Sequence, residues 1–278
     1  MLKLKHSYCL YATNFLSHGQ YVLYSSQNWR VNMSNSNFSS EEEFLANYDI
    51  HKYDTPLTTV DLVIFTVIDG ELKVLVVKRS EYPEKGKWSL PGGFIQTGTD
   101  ESIEAAAIRK LKEKTGVISP YIEQLQTIGN KDRDPRGWSL TVVYFALVAH
   151  DAVNPAAGKS VSETRWLTVN GDNSITQLAF DHDQILSLAY SRLQSKVEYT
   201  ALPLHLLPDE FTLTEFQQIF EVILDRAVDK SAFRRRIREA DIVEEIPGKM
   251  RHGSNRPAKL YKAKSMDSLH YFSRNLER

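Results

Sequence analysis

A proline-glycine-glycine turn, followed at fixed distances by an acid, an arginine, a second acid and a glycine, constrains this chain more than its composition does. Pro91-Gly92-Gly93-Phe94 precedes Glu101, Arg109, Glu113 and Gly116, which reads as a loop, a helix and a closing turn. On a helix, positions 110, 113 and 114 lie three and four residues apart and share one face. They are Lys110, Glu113 and Lys114, so that face carries a formal charge of +1. Magnesium needs oxygen ligands and sheds its water reluctantly, which makes this a poor metal site. The two ammonium groups are instead candidate point-charge partners for a diphosphate. The competing reading is that both lysines are solvated helix residues and that Glu113 only pairs with Arg109 four residues back.

The spacing resembles the signature of the Nudix hydrolases, Gly-x5-Glu-x7-Arg-Glu-U-x-Glu-Glu-x-Gly-U with U aliphatic. Seven residues separate Glu101 from Arg109, as that signature asks, and Arg109, Leu111, Glu113, Gly116 and Val117 are kept. Two acid positions are lysines, and Thr99 and Asp100 lengthen the loop by two residues. An active member presents three carboxylates to magnesium, which polarises the phosphoryl group and activates water. This chain is therefore expected to sense a nucleotide rather than cut it, with no catalytic residue, no metal ligand and no required cofactor.

Around the box the chain reads as an α/β domain. Thr59–Phe65 and Leu72–Val77 are β-rich, and the Asp69-Gly70 pair between them signals a hairpin. Trp88–Phe94 is expected as a further strand, Glu101–Lys114 as the helix, and Tyr121–Ile128 and Leu140–Val148 as two more strands. The loop over 129–137, with Lys131, Arg133 and Arg136, is either part of a ligand site or an ordinary charged hairpin. Of Trp88, Phe94, Trp138 and Tyr144, one or two are expected to touch a base, because aromatics in strands are more often core.

A second informative region lies near the C-terminus. Thr212-Leu213-Thr214-Glu215 is a capping-box pattern opening an amphipathic helix with Phe216, Ile219, Phe220 and Ile223 on one stripe. After a break at 226–229 a second helix runs from Lys230 to Ala240, capped by Asp229 or Ser231. Burying Phe233, Ile237 and Ala240 places Ser231, Arg234, Arg235 and Arg238 on the opposite side, with Arg236 on the flank. Ile242–Ile246 and Ala258–Lys262 follow as a β-ribbon around 247–257, the order of a winged helix-turn-helix. Between Asp229 and Lys264 stand eleven Lys or Arg against five acids, a net +6 in a chain that totals −1, so everything else carries −7. That polarisation attracts a phosphate backbone. Lys249, Arg251 and Arg256 on the wing are candidate backbone or minor-groove contacts.

In this order the two regions resemble one family, the Nudix-related transcriptional regulators of NAD metabolism called NrtR. The resemblance spans Ser39 to Lys264, and its most specific marks are Lys87–Phe94, Glu113–Gly116, Arg133–Trp138, Leu178–His182 and the winged helix. It implies an α/β fold, a Nudix-type mixed-sheet α/β/α sandwich followed by a C-terminal winged helix-turn-helix. It also implies a homodimer that binds a near-palindromic double-stranded DNA operator near NAD-synthesis or salvage genes and responds to ADP-ribose or a related nucleotide, while the single cysteine fits a reducing cytoplasm. Some relatives sense sugars. Arg79, Phe94, Arg109, Glu113, Arg133 and Arg136 are then the effector-site candidates; Ser231, Arg234, Arg235 and Arg238 are the DNA readers. The alternatives are an active hydrolase of ADP-ribose-like nucleoside diphosphates, and a DNA-binding protein whose Nudix domain only dimerises.

The domain organisation expected from sequence is as follows. Residues 1–32, which hold Lys3, Lys5 and Arg30 but no acid, are an extension, either disordered or upstream of a true start at Met33. A helical segment over 33–55 is capped by Ser40 with Glu43, the Nudix-like domain spans 56–196, and a linker over 197–209 contains Pro203 and Pro208. The winged helix spans 210–265 and a tail 266–278. An effector in the pocket would reorient the domains across that linker. The single cysteine, Cys9, forbids an internal disulfide. The apolar run Val142–Ala149 has eight residues, against the roughly 18 a membrane helix needs.

Overall fold

The computed structural model describes residues 38–116, 121–152, 161–169, 177–252, 257–273 and 276. The expectations about residues 1–32 and Met33, and those about Arg256, lie outside the described residues. The chain divides into two units, residues 1–54 and 55–278. In the first, helix α1 (Glu41–Ala46) is capped by Ser40, whose side chain accepts from the Glu43 amide at 3.1 Å. Glu43 reaches back to the Ser39 amide at 2.8 Å, one residue earlier than a capping box requires. Phe44, Leu45, Tyr48, Ile50 and Tyr53 are exposed.

In the second unit, β1 (Leu57–Ile68) and β2 (Glu71–Arg79) form the expected hairpin and run past the apolar stretches at both ends. Asp69 and Gly70 have φ of 52° and 76°, the left-handed pair that a two-residue type I′ turn demands. Along the chain follow β3 (Trp88–Ser89), β4 (Gly92–Phe94), α2 (Ile103–Thr115), β5 (Tyr121–Asn130), β6 (Ser139–Leu147), β7 (Val161–Thr168) and α3 (His182–Val197). The sheet order is β3-β2-β1-β6-β5, with β4 paired to β1 and β7 to β2. β1 and β6 run parallel at its centre.

Successive side chains of a strand point to opposite faces, and the sheet carries a core on each. Leu62, Ile64, Leu75, Val142 and Ala146 meet Ala107 and Leu111 of α2. Their neighbours Val63, Phe65, Val74, Val76 and Phe145 belong to the core that holds Ile185, Ala189 and Leu193 of α3. This is the α/β/α sandwich expected, although neither β7 nor α3 was anticipated as an element. The single expected strand over 88–94 is two short ones broken at Leu90-Pro91, where Pro91 supplies no ladder donor.

The α3-side core continues into the C-terminal module, formed by α4 (Leu213–Leu224), α5 (Lys230–Ala240), β8 (Val243–Arg251) and β9 (Ala258–Ala263). Thr212 and Glu215 exchange both bonds of the capping box, at 3.1 and 2.7 Å. Phe216, Phe220 and Phe233 pack edge to face with centroids 5.3–5.5 Å apart. These rings fasten α5 to α4.

Both the segment expected as a linker, 197–209, and the one expected as a tail, 266–278, make packed contacts. Over 197–209, Val197 ends α3 and Leu202–Leu206 form a 3-10 turn whose Leu202, Pro203, Leu204 and Leu206 are buried. Pro203 sits in the first turn, where its missing amide hydrogen costs nothing, and the leucines close the core between sheet and α4. Bending the chain here would expose them. The tail is docked too: the Ala201 amide donates to His270 O at 3.0 Å, Phe272 to Tyr199 O at 2.8 Å and Leu276 to Glu198 O at 3.0 Å. Among the described residues no helix is long and apolar enough to cross a membrane.

Candidate functional site

The Gly-Gly turn brings β4 against β1, and a side chain at Gly92 is impossible there. A Cβ would lie 2.2 Å from Asp61 Oδ1 and 2.5 Å from Val60 O. Beside this turn opens a pocket of about 350 Å³. Its cations are Arg79, Lys110, Lys114, Arg133 and Arg136; its carboxylates are Asp61, Glu81 and Asp134. A larger groove of about 590 Å³ runs between the Asp69-Gly70 turn, His150 and α4, but the one lysine or arginine lining it is Arg251, set among Asp69, Asp151, Glu215 and Glu221. Anion chemistry therefore points to the smaller cavity.

At the pocket floor Arg133 is buried and donates from Nε and Nη2 to both oxygens of Asp181 at 3.0 Å. The same guanidinium lies 3.5 Å from Asp61. His182 is also buried; its Nδ1 accepts from the Leu90 amide at 2.9 Å and its Nε2 is 3.9 Å from Asp61. Burial holds its pKa below the ordinary value, despite the nearby Asp61, so the ring is neutral with its proton on Nε2 facing that carboxylate. On the rim, Arg136 donates to Asp134 at 2.7 Å and stands 5.1 Å from the centre of the Phe94 ring. Arg79 donates to Pro83 O at 2.9 Å and packs 4.7 Å from the Phe180 ring. Two guanidinium-aromatic pairs thus line the mouth, where Phe94 is exposed.

Lys110 and Lys114 both reach the pocket wall, Lys110 beside Gly93. Lys114 is 3% exposed, and burial lowers its pKa from the usual lysine value. Arg109 and Glu113 do not line the cavity. The reason for Arg109 lies in the two-residue insertion: Asp100 accepts from its Nε and Nη2, each at 2.7 Å, and turns it away. This arginine holds the Asp100 carboxyl at about 2. Glu113 is exposed and shared between Arg109 at 3.1 Å and Lys110 at 3.3 Å. The donor set does not fit magnesium: Glu113 and Asp100 are committed to cations and two lysines stand where acids would coordinate. Of the four aromatics only Phe94 lines the pocket; Tyr144 is core, Trp88 packs 4.8 Å from Arg165, and Trp138 is exposed. Asp61 escaped sequence reading, because a lone aspartate in a strand carries no spacing signal, while Asp134 and Asp181 fall inside two of the family marks without standing among the expected site residues.

On α5, Phe233 and Ile237 are buried, while Ser231, Arg234, Arg235 and Arg238 are exposed together on the far side. Among the described residues these three arginines make no ion pair. Arg236 faces inward: its Nη2 donates to Glu198 O at 2.7 Å and its guanidinium lies 3.8 Å from the Phe272 ring. On the wing, Lys249 is paired with Glu210 and Arg251 with Glu215 at 2.5 Å. Those two cations brace β8 against the start of α4 rather than projecting freely.

Residues 57–188 match the NUDIX domain family and residues 203–263 the NrtR DNA-binding winged helix domain. The chain is 47% identical over 241 residues, 87% of its length and 95% of the other's, to the ADPR responsive transcriptional repressor NtrR of Acinetobacter baylyi. Its fold is similar to Shewanella oneidensis NrtR complexed with a 27mer DNA, with a TM-score of 0.72 and 45% identity over 80% of this chain and all of that one. The NUDIX domain of the same Shewanella protein, complexed with ADP ribose, matches with a TM-score of 0.51 and 50% identity over 55% of this chain and 99% of the other.

Proposed function

The chain belongs to the NrtR family, and from that premise we propose that it is a cytoplasmic transcriptional repressor of NAD-synthesis or salvage genes, released from DNA by ADP-ribose or a related nucleotide. The observation that carries this reading is the pocket wall itself. Positions that would bring acids to a metal bring Lys110 and Lys114 instead, so a diphosphate is met directly by ammonium groups. The adenine and terminal ribose then lie toward the Arg136-Phe94 and Arg79-Phe180 pairs, with Arg133 fixed beneath. Arg109 and Glu113 act as supports that set the pitch of Lys110, not as ligand contacts. The domain limits are those of the two modules, 56–196 and 210–265, with 197–209 as a packed connector.

Two protomers would pair through their Nudix-like domains and place the two α5 helices in successive major grooves about 34 Å apart on a near-palindromic operator. Ser231, Arg234, Arg235 and Arg238 supply the contacts to bases and phosphates, while Lys249 and Arg251 hold the wing in place beside them. To relieve repression, ADP-ribose must bind the released state better, by about 1.4 kcal/mol for each tenfold change in DNA affinity.

The test is an electrophoretic mobility shift on the organism's own NAD-gene upstream DNA, titrated with ADP-ribose and NAD, with product analysis of the same tubes. A shifted band lost as intact ADP-ribose rises supports the sensor. Magnesium-dependent cleavage without a shift makes this a hydrolase and overturns it.

A further inference from the structure

Helix α3 touches both sites. Its N-cap residue, Asp181, holds Arg133 at the pocket floor through two bonds of 3.0 Å, and its first residue, His182, holds the Leu90 amide before the Gly-Gly turn. Sixteen residues later, about 24 Å along a rigid rod, its C-cap Glu198 meets the recognition helix. The Glu198 carbonyl accepts from Arg236 Nη2 at 2.7 Å and from the Leu276 amide at 3.0 Å. Phe272 of the docked C-terminal segment covers the Arg236 guanidinium, and its own amide donates to Tyr199 O, next to Glu198. Along its length α3 also grips α4: Gln194 Nε2 and the Tyr190 hydroxyl both donate to Ile223 O, at 3.1 and 3.4 Å.

Arg236 is an odd residue to bury in a DNA-reading helix. Three other arginines of α5 face solvent, yet this one is turned inward, and burial lowers it to about 10. Among the described residues its Nε has no hydrogen-bond partner, which is a cost that packing alone gives no reason to accept.

We propose that α3 carries the state of the pocket to the recognition helix, and that Arg236 is the positioning residue that makes α5 follow the C-terminus of α3. The inference rests on the reading under Proposed function. Because the 3-10 turn at 202–206 is packed into the shared core, the signal travels by a small displacement of this helix and not by bending of a linker. A ligand that pulls on Arg133 moves Asp181, and the far end of the rod shifts the carbonyl on which Arg236 sits.

The test uses full-length protein, a fluorescent operator and ADP-ribose, with Arg236→Lys and Phe272→Leu as separate variants. The readout is the ratio of operator Kd with and without saturating ADP-ribose, beside the Kd for ADP-ribose alone. Both variants should keep their ADP-ribose affinity and lose at least about fivefold of the ratio, the lower end of ordinary coupling between sites. A full-sized ratio in both overturns the inference and leaves the proposed function intact. A parent protein whose operator affinity ignores ADP-ribose overturns both. Should either variant fail to fold, hydrogen exchange on the parent decides: ADP-ribose must change protection over 195–200 and 230–240, and unchanged rates there overturn the inference.

Discussion

In the pocket Arg133 and Arg136 each face a carboxylate at 3.0 Å or less, whereas on α5 Arg234, Arg235 and Arg238 stand exposed and, among the described residues, without an ion pair. The two settings suit different anions. A small ligand of fixed shape is best met by donors already held in place, since little rotamer freedom is left to lose on binding. A DNA backbone is a line of charges with its own counterions, and binding it draws on their release. Arginines that are free to adjust gain most from such a partner, and any internal carboxylate beside them would compete with the phosphates.

The sharpest way to break that contrast is Arg133→Ala. It leaves Asp61 and Asp181 without their cation, and removing one partner of a buried pair costs about 3–5 kcal/mol. Urea unfolding should report a loss of that order, against less than about 0.5 kcal/mol for Arg234→Ala on the exposed face. Equal losses would erase the distinction. Next in size, Arg235→Ala should weaken operator binding by about 1–3 kcal/mol while ADP-ribose affinity stays put. An unchanged operator Kd removes α5 from the DNA interface.

Acid should separate the regions further. Burial lowers His182, and takes His205 from 6.5 down to about 4. Above 6.5 both are neutral whether folded or not. As pH falls below that value, the unfolded chain takes up protons that the folded one refuses, and stability drops by at most about 1.4 kcal/mol per pH unit for each histidine. The melting temperature should therefore decline between about pH 6.5 and 4.5, less steeply in His205→Asn. A flat profile in the parent contradicts the burial of these rings. The smallest expected effect is Lys249→Gln, which loses an exposed ion pair with Glu210 worth about 0.2–1 kcal/mol. Because that cation is already engaged, the slope of operator affinity against salt should change by less than about one unit; a larger change makes Lys249 a phosphate contact.

What was legible in the sequence follows the range of the signals. The Asp69-Gly70 hairpin, the Thr212/Glu215 cap and the segregation of Phe233 and Ile237 from the α5 arginines are local patterns, and each appears in the structure. α3 was legible but unread: Ile185, Leu186, Ala189, Tyr190, Leu193 and Val197 are buried at helical spacing. The segment over 197–209 carries Pro203 and Pro208, which signal a break, among leucines that the 3-10 turn buries. Arg79, Phe94, Arg133 and Arg136 line one pocket. Arg109 and Glu113 do not, because the family pattern carries no information about an inserted Asp100 that captures the arginine. Partners such as Asp61 and Asp181, 120 residues apart in the chain and joined through Arg133, are set by topology alone.

The parallel pairing of β1 with β6 reaches beyond architecture. Leu57 lies beside Ser139, 82 residues later, and closing so long a loop has to precede the reward of the contact. On a ribosome adding roughly 5–20 residues per second, the central pair of the sheet cannot form until β6 has emerged, so β1 and β2 wait with only β3, β4 and α2 to pack beside them. α3 follows soon after and covers one face, and only then can Phe216 and Phe220 find the core they share with it. The winged-helix module is thus completed last, against a Nudix half already assembled, and a chain whose pocket has failed to form offers α4 no surface on which to settle.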